Sequence, residues 1–240
     1  MDRRSRTAQG RRNSAAPNPN PRRANPRRPG AMGMTGHPIF AAFYDLVLRP
    51  ASPLIDPWRR RVVAGAAGQV LEVGVGTGLN LPFYRLAQVE RLVGLEPDPH
   101  MGRRAAARAR RLGIALELVA APAEAMPFAD ASFDTVVATH VFCSVQDPDR
   151  ALREVFRVLR PGGTFRFLEH VRAGEERAAR RQDRWTPVWR LVAAGCHPNR
   201  RTVEAIAAAG FVLEELERFE LPAGGPVRPQ AFGVARRPGG

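Results

Sequence analysis

Lysine is absent from the chain: all 37 basic residues are arginine. With abundant alanine, glycine and proline, this points to a GC-rich coding bias rather than selection for charge. The net charge of +14 is therefore a weak argument for a nucleic-acid partner. Its distribution weakens the argument further. The first thirty residues carry nine arginines against one acid, Asp2, and so hold +8 of the total. Cysteine is scarce too. Two in 240 residues exclude a disulfide scaffold and a four-cysteine zinc module. No apolar run nears the ~18 residues that a membrane-crossing helix needs. The first thirty residues also lack the apolar core of a typical secretory signal. The expectation is a soluble, cytoplasmic, mostly globular protein.

What is present suits one folded domain behind a tail. Hydrophobic residues make up 44% of the chain, enough for a sizeable core. Residues 1–33 are rich in Arg, Pro, Asn and Ser, and residues 1–30 hold no aromatic and no Val, Ile or Leu. Such a segment cannot offset its ordering entropy by burial, so a disordered tail is expected there. Residues 34–240 form the expected domain. It opens with a helical cap over 38–66: an amphipathic helix at Ile39–Leu48, then a second helix from Ser52 to about Ala66. Strands and helices then alternate. Gln69–Val75 is a continuous apolar run, as expected for a strand buried on both faces, and Arg91–Glu96, Ala115–Ala120, Phe133–Val141 and Thr164–Val171 read as further strands. Helices fit a short stretch after Leu79, then Asp98–Arg111, Pro148–Leu159, Glu175–Val192 and Thr202–Ala209. Two strands, Phe211–Glu220 and about Gln230–Arg236, close the chain as an antiparallel pair. The pattern predicts an α/β fold with a doubly wound, mostly parallel sheet.

The sharpest motif is Glu72-Val73-Gly74-Val75-Gly76-Thr77-Gly78, which follows a strand. Glycines there let the backbone turn sharply and approach a ligand closely. The third glycine follows the second by two residues. The dinucleotide fingerprint spaces them by three, and that position, 79, is leucine. The loop thus suits a ligand with no pyrophosphate. Glu96 ends the second strand, where a carboxylate can accept both ribose hydroxyls of an adenosine. Glu72 is suited to orient a charged amino-acid moiety.

The loop EVGVGTG, the strand end GLEPD, the block AEAMPFADASFDTVV and the later RVLRPGG resemble class I S-adenosylmethionine (SAM) methyltransferases. The resemblance implies a seven-stranded Rossmann-like sheet and SAM as cofactor. It places Glu72 and Gly74 by the methionine amine and carboxylate, and lets Gly76, Thr77 and Gly78 admit the cofactor. Glu96, next to Pro97, would hold the ribose. Ala123 and Glu124 would border the adenine, and Thr139 and His140 would face the sulfonium. Pro122 stands where relatives often have Asp, so one adenine contact is unavailable.

A closer likeness runs through VFCSVQDPDRALREVFRVLRPGG, FLEHV, the Pro187-Val188-Trp189 region, Gly195-Cys196, Arg201-Thr202 and the closing PVRPQAFGVA. These are similar to the methyltransferase-like thiol S-methyltransferase family. It implies methyl transfer to small thiols. Animal members begin with a hydrophobic anchor, where this chain has an Arg/Pro tail. His140 replaces an apolar residue of that family.

The acceptor site is expected beyond the carboxyl ends of the fourth and fifth strands. His170, Glu169 and His140 are the candidate bases. Phe142, Cys143, Trp185, Trp189 and Cys196 are candidates for the pocket. Trp185 and Trp189 lie four apart, on one helix face. A metal set of Cys143, Cys196, His140 and His197 lacks zinc-finger spacing, and adjacent residues rarely chelate together, so no metal is expected. A thiol of pKa ~8.5 needs only mild help to ionise. The runner-up acceptors are phosphatidylethanolamine and quinone precursors. The reading of another class is a non-catalytic SAM- or RNA-binding protein using the basic arm. The partner expected is a small-molecule acceptor, and no aromatic-rich nucleic-acid surface is evident.

Overall fold

The computed structural model describes residues 52–193 and 195–239. All of them belong to the second of the chain's two compact units, Met34–Gly240. The tail over 1–33 and the helix expected at Ile39–Leu48 lie outside the described residues.

Five helices and seven strands are described. In chain order they are α1 (Ser52–Val63), β1 (Gly68–Val73), β2 (Val89–Leu95), α2 (Pro99–Leu112), β3 (Leu116–Val119), β4 (Phe133–Thr139), α3 (Pro148–Val158), β5 (Leu159–His170), α4 (Glu176–Val192), α5 (Thr202–Ala208), β6 (Val212–Glu220) and β7 (Pro229–Arg236). The sheet order is β3-β2-β1-β4-β5-β7-β6. The first five strands run parallel, and β7 pairs antiparallel with both β5 and β6. The doubly wound sheet and its antiparallel closing pair are as expected. The order reverses between β1 and β4, and a ligand crevice forms at such a switch point.

Helix boundaries follow from local chemistry. Asp98 caps α2 by accepting from the backbone N–H of His100 (2.7 Å) and Met101 (3.3 Å). Pro99 supplies the first turn, and Gly113 ends the helix in the left-handed region at φ +67°. Asp147 and Pro148 do the same for the start of α3.

Two expectations need correction. The glycine loop does not open an α-helix. Short 3-10 turns at Leu81–Phe83 and Leu86–Gln88 follow instead. Pro82 and the following extended Tyr84 (ψ 137°) prevent propagation. β5 also starts five residues early, at Leu159 rather than Thr164. The Arg160–Gly163 segment reads as a break, yet Leu159 already pairs with Phe133, and the register shifts once before Thr164 meets Thr135.

Apolar side chains fill both faces of the sheet. One face buries Phe133, Phe165, Phe167 and Phe211 with α3 and α5. The other buries Val62, Val63, Val137 and Phe232 with α1. Trp58 of α1 stacks on Phe219 of β6 (ring centroids 3.7 Å, planes 8° apart). The Arg166 guanidinium of β5 donates to the carbonyls of Val62 (2.7 Å) and Arg61 (3.2 Å) at the end of α1. These contacts set the helix across β5, β7 and β6 and fix where its Arg59 points. The β6 edge carries Glu214, Glu215, Glu217 and Glu220, charges that discourage pairing with another chain.

Trp58→Ala should lower unfolding free energy by about 3 kcal/mol in denaturant titration. Removing the exposed Arg218–Glu204 pair with Arg218→Ala should cost under about 1 kcal/mol.

Candidate active site

The loop after β1 is built around glycines that no other residue replaces. Gly74 (φ +63°) lies so close to Val141 that an added Cβ would stand 2.7 Å from its Cγ2. Gly76 (φ +55°) is different. A Cβ there would meet nothing nearer than 3.9 Å, so its backbone faces open space. Glu96 ties the loops together. One carboxylate oxygen accepts from the Gly76 N–H and the other from the Asp98 N–H, both at 2.9 Å. Burial holds this carboxyl above the ordinary carboxylate range. Thr77 is buried, and its carbonyl accepts from Arg108 (3.0 Å). Pro97 is half-buried beside Glu96.

Beneath the loop lies a buried polar network. Glu72 accepts from Asn80 Nδ2 and from the Tyr84 hydroxyl, each at 2.9 Å. Asn80 also donates to the Thr139 hydroxyl (3.0 Å) and accepts from Arg59 (3.0 Å). Burial pushes Glu72 up to about 7, against the pull of Tyr84, Asn80 and Arg59. Sequence reasoning found Glu72 and Thr139 but missed Arg59, Asn80 and Tyr84. Arg59 comes from α1, and only its burial among apolar neighbours in that helix marks it.

The loop after β4 hangs on Glu169. This side chain is fully buried, and its Oε1 accepts from the Val141 N–H at 2.8 Å. The N–H groups of Phe142 and Cys143 also favour its anion, while burial pushes it up to about 7. Glu169 thus braces the loop from beneath. His140 sits at the entry of the loop in the left-handed region (φ +56°), a strained conformation for this residue. Its ring stacks on that of His170 (centroids 4.2 Å, planes 8° apart), and Nε2 pairs with Gln230 Oε1 at 2.9 Å. Burial, then the neighbouring His170 and Arg59, holds His140 well below the usual imidazole range. It is neutral at physiological pH.

His170 Nδ1 lies 3.3 Å from Cys143 Sγ and 3.4 Å from Cys196 Sγ. The contact with Cys196, then burial, pushes the Cys143 thiol well up, and the same contact draws Cys196 down. The cluster joins three distant segments. Arg200 holds the loop by donating to the carbonyls of Phe142 and Val145 (2.8 Å). Buried Gln182 of α4 donates to the carbonyls of Val171, Pro198 and Pro226.

The remaining expected residues scatter. Phe142 is buried edge-on to Phe165 in the core (5.7 Å), not in a pocket wall, because Glu169 and Arg200 turn its backbone inward. Ala123 is buried. The Glu124 carboxylate accepts from the N–H groups of Gln146 (2.8 Å) and Asp147 (3.2 Å), so it clasps the start of α3. The two tryptophans part company. Trp189 is half-buried beside Cys196. Trp185 is 55% exposed and lines a groove of about 450 Å³ with Arg181, Gln182, Glu220 and Pro226.

Residues 71–167 match the family model described as a methyltransferase domain. The chain is 37% identical over 182 residues to human "Thiol S-methyltransferase TMT1A", covering 72% of each chain. The chain belongs to the thiol S-methyltransferase family of SAM-dependent methyltransferases. It is also 39% identical over 136 residues to the "Phosphatidylethanolamine N-methyltransferase" of Cereibacter sphaeroides, covering 54% of this chain and 64% of that one. Its fold matches a SAM-dependent methyltransferase from Aquifex aeolicus with a TM-score of 0.60, at 16% identity, over 84% of this chain and 98% of that one. SAM is therefore the cofactor of this methyltransferase. The open face of Gly76 and the carboxylate of Glu96 beside it fit such a group. Among the described residues, no helix is long and apolar enough to cross a membrane.

Glu72 gives a pH test. Its carboxyl is raised on folding, so its contribution is complete below the unfolded value of about 4.3 and is lost as pH rises through about 7. Stability should fall across that window. In Glu72→Gln the fall should be shallower, as measured by denaturant midpoints at successive pH values.

Proposed function

We propose that this methyltransferase moves a methyl group from SAM to a small hydrophobic thiol. The match to the human thiol enzyme over 72% of both chains carries this reading. SAM, when bound, supplies a methyl on a sulfonium that is already an activated leaving group. The protein's task is alignment, and proximity alone contributes several kcal/mol.

The loop of Gly74, Gly76, Thr77 and Gly78 is proposed to seat the methionine part, with Glu72 and its network setting the charge beneath it. Glu96 is proposed to accept from the ribose hydroxyls. Pro97, Ala123 and Glu124 border the adenine, with the Glu124 carboxylate already committed to backbone. Thr139 and His140 then face the reacting end. His140, neutral and fixed by Gln230, excludes water and positions its partner ring. His170 is the candidate to hold or take the thiol proton. Glu169 shapes the loop. Trp189, Cys143 and Cys196 flank the acceptor, while Trp185 lines the neighbouring groove. A cytoplasmic setting suits the two free cysteines. The domain over 34–240 is proposed to carry the whole activity.

The test is methyl transfer from labelled SAM to small thiols, phosphatidylethanolamine, a polyprenyl phenol and bulk RNA. Turnover on thiols is expected. Transfer only to the lipid or the phenol would overturn the acceptor assignment. Glu96→Ala should weaken SAM binding by about 10- to 100-fold, read by calorimetry, from loss of charged hydrogen bonds. Removing residues 1–33 should leave turnover unchanged. Loss of RNA affinity together with turnover on that truncation would favour the RNA-associated reading.

A further inference from the structure

The fold brings Cys143, His170 and Cys196 to one point, and nothing so far uses them together. Their ligand atoms all lie within 4.8 Å of one another. Both sulfurs reach the same nitrogen, at 3.3 and 3.4 Å. Nδ1 offers one lone pair or one proton, so it cannot satisfy two thiols at once. A single ion among the three atoms takes one lone pair from each and leaves neither sulfur competing for the nitrogen. In tetrahedral zinc sites, Zn–S near 2.3 Å and Zn–N near 2.0 Å set the ligand edges at about 3.6 Å for S···N and about 3.8 Å for S···S. The observed S···N separations lie within a few tenths of an ångström of that edge.

We propose that Cys143, His170 and Cys196 form a three-ligand site for a soft metal ion, zinc in the first instance. Two thiolates and an imidazole select that class over magnesium or calcium. The ligands come from the loop after β4, the end of β5 and the turn after α4. Each is held before any ion arrives. Glu169 and Arg200 brace the loop of Cys143. The His140 stack sets the His170 ring. The His197 N–H donates to the Cys143 carbonyl (2.6 Å), tying the Cys196 turn to the same loop.

Three protein ligands leave the fourth position for a small molecule, the arrangement of catalytic rather than structural zinc. Resting on the thiol reading above, that position suits the acceptor. With the ion in place His170 serves as a ligand rather than as the base, so a thiol binding there gives its proton to solvent and coordinates through sulfur. A sulfur lone pair then bonds the methyl carbon as the carbon–sulfonium bond breaks. That bond's electrons stay on the donor sulfur, and the thioether leaves.

The first experiment needs no turnover. Full-length protein, purified under reductant and stripped with chelator, is titrated with zinc and, in parallel, with cobalt(II). The expected result is one equivalent bound, with a near-ultraviolet thiolate-to-cobalt absorption that zinc abolishes. Cys143→Ser and Cys196→Ser should each lose a large part of the absorption and weaken binding at least tenfold. His197→Ala, outside the set, should bind as the parent does. Thermal melting of each variant shows that it is folded. Stoichiometry below 0.2, an absorption unchanged by both serine variants, or cysteines found joined as a disulfide by intact mass would overturn the site. The thiol panel is scored separately. Metal binding without thiol turnover sinks only the acceptor role, and thiol turnover by metal-free protein sinks the catalytic use of the ion.

Discussion

A buried carboxylate governs the loop that follows β4. Glu169 leaves β5 and takes the N–H of Val141, with those of Phe142 and Cys143 close behind. That grip sets three things at once. Val141 is pressed against Gly74, which leaves no room for a side chain at that position. Cys143 is turned toward His170. His140 is forced into the left-handed region at the end of β4, where its ring can stack on His170. Stacking a neutral imidazole there needs the burial that the same loop provides. An unpaired buried carboxylate would be costly, and the backbone N–H groups are what make the arrangement tolerable.

A second network lies beneath the glycine loop. Glu72 is held by Asn80 and Tyr84, and Asn80 reaches both Thr139 and Arg59. The two acids lie on β1 and β5, with β4 between them. The crevice is therefore framed by two desolvated carboxyls, each with its charge managed by neighbours rather than by solvent. Polar groups committed this fully give a site with one geometry.

Much of this was legible in the sequence because it depends on local pattern. Buried strands read as apolar runs, the glycine spacing excluded a pyrophosphate, and Glu96 fell at a strand end. The rest was not local. The short helix expected after Leu79 is confined to 3-10 turns because Pro82 and the extended Tyr84 interrupt it. The early start of β5 was hidden by Pro161 and Gly162, which read as a stop. Arg59 looks like one arginine in an Arg-rich helix, and only the seating of α1 turns it inward. The sulfur cluster was hidden differently. Sequence neighbours suggested His140 and His197 as companions of the cysteines, whereas the fold supplies His170 from another strand.

The Arg59–Asn80–Glu72 chain has one more consequence. It joins the first described helix to the buried carboxyl beneath the glycine loop by direct hydrogen bonds. Binding above Glu72 and the seating of α1 are then two sides of one thermodynamic cycle. Whatever factor the ligand adds to the helix's hold, the helix returns to the ligand's affinity. A change that loosens α1 and a change that loosens what sits above Glu72 are, to the extent of that factor, one quantity read from opposite ends.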